Sequence, residues 1–187
     1  MAELATAIQA LRNGRLVVYP TDTLLGLGAR ATSKPAVAQL ERLKRRPPGQ
    51  PMSVLVSSVP EIDRWAELSD PARAWIRMNL PGPYTILAHA SVESKRRFAS
   101  SILGPKRVVG IRVPDHPVAR ALAHSVGPIT ATSANRHGDP PARTIAQARL
   151  VFGREVSVYL SGLPAPSGRP STLVDLTKDI PELTVRS

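Results

Sequence analysis

Proline and glycine punctuate this chain from end to end, 19 and 12 of them in 187 residues, with no cluster that would mark a linker. Proline removes a backbone donor and fixes φ, while glycine weakens regular structure, so each interrupts the element it meets. Membrane spans are excluded, because the apolar stretches fall far short of the ~20 residues a span needs. What remains is a succession of short elements in one expected domain, residues 1–187, with no internal repeat and no low-complexity tract.

Those elements alternate. Leu4, Ile8 and Leu11 share one face of a helix over 3–12, stopped by Asn13-Gly14. Arg15–Tyr19 is a short β-branched run, expected as a buried strand. Ser33 is placed to cap a helix with Pro35 in its first turn, running to Pro47-Pro48-Gly49. Further strands are expected at 52–56, 84–88, 108–113, 129–132 and near 156–160, 172–176 and 182–186. Helices are expected after a Ser58/Glu61 capping box, at 70–79, at 115–125 with Pro117 in the first turn, and from Thr144 to Phe152. The sum is an α/β or α+β fold with one central mixed sheet.

Composition narrows the chemistry. Hydrophobic residues are 42% and aromatics only 4%, so the core must be aliphatic. Cysteine is absent, which removes disulfides, thiolate catalysis and cysteine-ligated zinc. The N-terminal MAELATAIQALRNGR carries Glu3 early and has the pattern of an amphipathic helix, so neither a signal nor a transit peptide is expected, and the location expected is cytoplasmic. Lys and Arg total 25 against 14 Asp and Glu, a net charge of +11 that favours anionic partners such as nucleotides or RNA. Twenty of those cations are arginine, however, and an arginine-, alanine- and proline-rich composition also arises from a GC-rich genome.

No nucleophile elbow, phosphate-binding P-loop or dinucleotide glycine fingerprint is present. His89, His116, His124 and His137 lack metal-ligand spacing, and His116 and His124 are expected as surface or packing residues of one helix. An enzyme of this composition would work by positioning and charge stabilisation.

Four polar segments at strand or helix ends could do that. In Tyr19-Pro20-Thr21-Asp22-Thr23-Leu24-Leu25-Gly26-Leu27-Gly28, three hydrogen-bonding side chains follow a strand, and the glycines would let backbone approach a ligand closely. Ordinary turn capping explains the same polar residues. Lys44 and Arg46, at spacing two before Pro47, point the same way in an extended exit and would clamp phosphate; the alternative is a cationic last turn complementing the helix dipole. Ser133 and Asn135 share a face of an extended chain, suited to phosphate oxygens or hydrated Mg²⁺, or else form an ordinary turn. Arg112, inside an apolar strand, needs a partner if buried, and a ligand carboxylate or phosphate near Ser171-Thr172 would serve.

In order, the segments YPTDTLLGLG, LKRRP…P, PGPYT, GIRVPDHP, ATSAN and PSTLVDLT resemble the YrdC/TsaC family, the L-threonylcarbamoyladenylate synthases, from about Leu11 to Arg186. The resemblance implies an open twisted α/β sheet around a deep, basic cavity. It also implies condensation of L-threonine, bicarbonate and ATP, with Mg²⁺, into threonylcarbamoyl-adenylate and pyrophosphate. Partner proteins then transfer the threonylcarbamoyl group to tRNA, and the family has been described as binding double-stranded RNA. Carried over, Lys44 and Arg46 would act on the ATP phosphates, with Ser133, Asn135, Gln50 and Arg186 on the same nucleotide. Thr23, Arg112 and Ser171 would bind threonine.

Two positions depart from the family pattern. Leu25 stands where an aromatic is usual and Leu55 where longer members often have a histidine, which makes the amino-acid side more apolar. The chain is expected to be the short, single-domain type. Alternative readings are a double-stranded RNA or tRNA-binding module of the same fold, or a paralogue acting on another amino acid.

Overall fold

Leu16 and Val18 enter one hydrophobic cluster while Val17 and Tyr19 enter another, so the first apolar run carries a packed layer on each face. The computed structural model describes residues 2–178 and 182–184. Along it run α1 (Ala2–Arg12), β1 (Val17–Tyr19), β2 (Gly26–Gly28), α2 (Lys34–Lys44), β3 (Ser53–Leu55), α3 (Ile62–Trp65), β4 (Ala66–Glu67), α4 (Asp70–Asn79) and β5 (Tyr84–Ala90). There follow α5 (Val92–Arg97), β6 (Val108–Arg112), α6 (Pro117–Val126), β7 (Ile129–Ser133), α7 (Ile145–Phe152), β8 (Val158–Tyr159), β9 (Thr172–Asp175) and β10 (Glu182–Thr184).

The strands form one mixed sheet in the order β10-β9-β5-β6-β3-β7-β2-β1-β8, with β4 on β5. The pairs β1/β8, β3/β6 and β5/β9 are parallel and the rest antiparallel. Ala7 and Leu11 of α1 pack with Ala119, Leu122 and Ala123 of α6 over Val17, Leu55 and Ile129. Ala36, Val37, Leu40 and Leu43 of α2 belong to the larger cluster with Val54, Ile86 and Ile111, alongside residues of α3, α4 and α7. Both clusters are mainly aliphatic, and in the larger one Trp65 stacks on Phe98 at 4.8 Å. No helix among the described residues is long and apolar enough to cross a membrane.

The expected mixed sheet flanked by helices is what the chain forms, with several local differences. Gly26–Gly28, expected as ligand-approaching loop, is strand β2. Its glycines make room for a side chain: a Cβ on Gly26 would stand 2.7 Å from Cζ of Tyr19, and one on Gly28 2.8 Å from Cε1. Tyr19 lies across β2 and donates its hydroxyl to the Thr130 carbonyl of β7 at 2.9 Å. Gly26→Ala should therefore destabilise the protein by roughly 1–3 kcal/mol through overpacking against the ring. Urea unfolding would measure this, and Tyr19→Leu in the same chain should remove most of the added cost.

Ser33 sits at the α2 N-cap but its side chain makes no cap bond. Glu61 reaches back to the amide and hydroxyl of Ser57, so the expected Ser58 capping box does not form. The helix expected from 115 begins at Pro117, leaving His116 as its N-cap, and there it is fully buried. Thr144 does cap α7, its hydroxyl accepting from the Gln147 amide. Helix α5 has no apolar periodicity to reveal it. It is held by the Ser91 cap and by Glu93 pairing with Arg96 and Arg97. The 185–186 part of the last expected strand lies outside the described residues.

Candidate active site

Cross-strand partners in a sheet point to the same face. Leu173 pairs with Thr85, Leu55 with Arg112, Ser53 with Ala131, and Gly26 with both Tyr19 and Ser133. This row of side chains lines one cavity of about 430 Å³, within the ~300–1,000 Å³ typical of small-molecule sites. Among the described residues Arg46 and Arg112 are the cations of its lining, and no carboxylate is among them.

One part of the lining centres on Arg112. It is 8% exposed, and its guanidinium donates to Thr23 Oγ1 at 2.9 Å and to Asp22 Oδ1 at 2.7 Å. Thr23 Oγ1 also bonds Thr21 Oγ1 at 3.0 Å. Burial pulls the Arg112 pKa down and Asp22 opposes that shift. Among the described residues the Arg112 Nε and Asp22 Oδ2 have no partners, so the pair is not fully satisfied there. Ser171 shares a 2.7 Å hydroxyl–hydroxyl bond with Thr85, and both are buried. Leu55, fully buried, stands beside Arg112, and Leu25 also lines the cavity.

The other part joins two distant segments. Helix α2 ends at Lys44 because Arg45 turns left-handed, at φ 52° and ψ 40°. The exit is therefore a reversal and not the extended stretch expected. Lys44 turns inward and is 2% exposed, and Nζ donates to the Ser133 carbonyl at 2.6 Å, the Asn135 carbonyl at 2.6 Å and Asn135 Oδ1 at 3.1 Å. Burial, with Arg46 adding to it, pushes the Lys44 pKa down from 10.5 to about 7. Ser133 Oγ donates to Asn135 Oδ1 at 2.6 Å, and Asn135 has left the strand in a bend, so the two meet without an extended chain.

Arg46 lines the cavity and is braced by the carbonyls of Gln50 and Pro51. Gln50 itself is exposed and outside the cavity lining, contributing through its backbone. Arg186 lies outside the described residues. Lys44 and Asn135 are not lining residues either; they sit behind Ser133 and hold it. The Ala134 amide, bonded to the Leu25 carbonyl at 2.8 Å, ties the two parts together.

A family model for Sua5/YciO/YrdC proteins, described as telomere recombination, matches residues 9–187. The chain belongs to this family. The Sua5/YciO/YrdC relatives include the threonylcarbamoyl-AMP synthase of Chromohalobacter salexigens, 36% identical over 175 residues and covering 92% of each chain. That of Coxiella burnetii is 34% identical over 171 residues, 90% of each. Among solved structures, P. abyssi Sua5 complexed with L-threonine superposes with a TM-score of 0.88 at 30% identity, over 96% of this chain and 52% of that one. This chain thus spans about half of that Sua5 chain. E. coli YciO gives 0.86 at 27% identity, over 98% and 88% of the two chains.

Within this Sua5/YciO/YrdC fold, three polar groups at the cavity were not singled out from the sequence. Asp22 is one residue of the first segment, and the need of a buried strand arginine for a carboxylate is the signal that could have found it. Thr85 looked like one residue of an apolar strand; only its register with Leu173, beside Ser171, marks it. Tyr19 looked like a strand residue, and its bridging of β2 depends on glycines seven and nine positions later.

Proposed function

We propose that this chain is a threonylcarbamoyl-AMP synthase, condensing L-threonine, bicarbonate and ATP to threonylcarbamoyl-adenylate and pyrophosphate. The supporting observation is that one cavity combines a carboxylate-binding group, Arg112 with Thr23, and a phosphate-binding group, Arg46 with Ser133, the latter held by Lys44 and Asn135. Its relatives along nearly the whole chain carry the same activity in their names.

In this reading Arg112 takes the threonine carboxylate, with Thr23 and Ser171 beside the amino acid. Threonine and bicarbonate lose water to form the carbamate. A carbamate oxygen attacks the α-phosphorus in line, and the bond to the bridging oxygen breaks as pyrophosphate leaves. Arg46, which lines the cavity, faces the negative charge that builds on the phosphate oxygens, and Lys44 adds its charge from behind Ser133. Ser133, held by Asn135, orients the nucleotide, and the segment 47–51 with Gln50 braces Arg46. Among the described residues no cluster of three or more His, Asp or Glu is present that would hold a metal ion, and Lys44 already occupies the amide oxygen of Asn135. Mg²⁺ therefore belongs to this scheme as part of the Mg·ATP substrate. The proposal extends to a single-domain enzyme acting in the cytoplasm, with a tRNA-modifying transferase receiving the adenylate. The net charge of +11 favours RNA contact.

Pyrophosphate release from ATP, measured with and without bicarbonate and each of several amino acids, tests the reading. Release that needs both L-threonine and bicarbonate is expected. Turnover with a different amino acid would make the chain a paralogue, with Leu55 beside Arg112 the first residue to examine. Absence of ATP binding would sink the enzyme reading.

A further inference from the structure

We propose that His116 is a positioning residue for the amino-acid end of the cavity, acting through the loop that carries Ser171. The inference rests on the proposed function for what the cavity binds, while the anchor rests on geometry alone.

The segment 160–171 joins β8 to β9 without regular structure, and its prolines at 164, 166 and 170 remove three backbone donors. Its last two residues, Pro170 and Ser171, line the cavity. A loop with so few internal bonds keeps its place only through outside contacts. There are two sets. The Ser167 amide donates to the Asp22 carbonyl at 3.1 Å and the Gly168 amide to the Thr23 carbonyl at 2.8 Å. Nearer the start of the loop, His116 Nε2 lies 3.0 Å from the Pro164 carbonyl.

A carbonyl only accepts, so Nε2 carries the hydrogen. In the neutral ring Nδ1 is then a bare acceptor, and it is buried without a partner among the described residues. Burial lowers the His116 pKa, opposed by the Pro164 carbonyl, Asp22 and Asp115, which suits a neutral single donor. A side chain present only to fill space would be apolar at a fully buried position, and would avoid the orphaned nitrogen. The loop also fits closely here. A Cβ on Gly162 would stand 2.9 Å from Val118 Cγ2 and 3.2 Å from Pro20 Cγ, so the backbone comes directly against the α6 N-terminus and the segment leading to Thr23. His116 follows Arg112 by four residues, so one stretch of chain places the guanidinium and pins the loop that brings Ser171 to it.

The test compares His116→Leu, which fills space without donating, with His116→Gln, whose amide can restore the donor. Amide hydrogen exchange over 161–171 is expected to speed by about tenfold in His116→Leu and to return towards wild type in His116→Gln. The threonine KM should rise by about tenfold in His116→Leu and recover in His116→Gln, while kcat and the ATP KM stay within about twofold. Unchanged loop exchange would overturn the proposal. So would uniformly faster exchange throughout the protein, or a loosened loop with an unmoved threonine KM. If the wild type shows no threonine-dependent turnover, the functional reading fails, and the exchange arm, which needs no substrate, still decides whether His116 anchors the loop.

Discussion

Lys44→Ala is expected to lower threonine-dependent pyrophosphate release by about 100-fold or more, the scale seen when one preorganised electrostatic stabiliser is removed. The amine makes three bonds that join the end of α2 to the Ser133–Asn135 turn, so its loss affects both charge and placement. Arg46→Ala separates the two effects, because Arg46 faces the cavity and leaves the Lys44 bonds intact. A drop for Arg46→Ala within tenfold of that for Lys44→Ala would mark charge as the main term. An active Lys44→Ala would remove the phosphate-binding role altogether.

The lowered pKa of Lys44 adds a pH signature. In the folded protein the amine loses its proton near pH 7, and in the unfolded chain near 10.5. Between those values the unfolded chain binds more protons, so the cost of burying the ammonium is full below pH 7 and fades as pH rises towards 10.5. A triphosphate in the cavity on the far side of Ser133 favours the ammonium, so ATP binding at pH 8 should take up protons. Calorimetry in two buffers of different ionisation enthalpy would detect this uptake, and Lys44→Met should abolish it. No uptake in the wild type would place the phosphates away from the amine.

Arg112→Gln should cost about 3 kcal/mol of stability, because it leaves the Asp22 carboxylate poorly solvated and without its charged partner. The two side chains are only 10% and 13% exposed, which is why the lower end of the range for buried pairs applies. Adding Asp22→Asn should recover most of that loss, since the uncompensated charge disappears with it. Urea unfolding of the four proteins in this cycle isolates the coupling. Neither Arg112→Gln nor the double variant should bind threonine, so recovered stability with lost binding is the expected combination. If Arg112→Gln unfolds like the wild type, the pair is solvated in solution and the account of Arg112 as a constrained ligand group fails.

Much of this was legible along the chain. The β1, β5, β6 and β7 runs are apolar enough to announce themselves, and most elements differ from expectation by a residue or two at their ends. The misreadings have two causes, a partner outside the segment and an element too short to show a period. Gly26–Gly28 looked like loop because two glycines oppose strand propensity locally, and the ring of Tyr19 that requires them belongs to the neighbouring strand. Helix α5 was invisible because a six-residue helix held by a cap and surface ion pairs has no apolar stripe. His116 looked like a surface or packing residue because the carbonyl that explains it comes 48 residues later.

Residue chemistry and local period are properties of a segment, and so the sequence by itself determined the aliphatic core, the alternation of short strands and helices, and the polar segments Thr21–Thr23, Lys44–Arg46 and Ser133–Asn135. Which of those segments meet was decided only by the tertiary structure. Lys44 reaches Ser133, and Arg112 reaches Thr23, across 89 residues in each case. No window along the chain contains such a pair. The order of strands β6-β3-β7-β2-β1 brings them to one face of the sheet, and the pairing that sets this order is a collective outcome of burying both clusters at once.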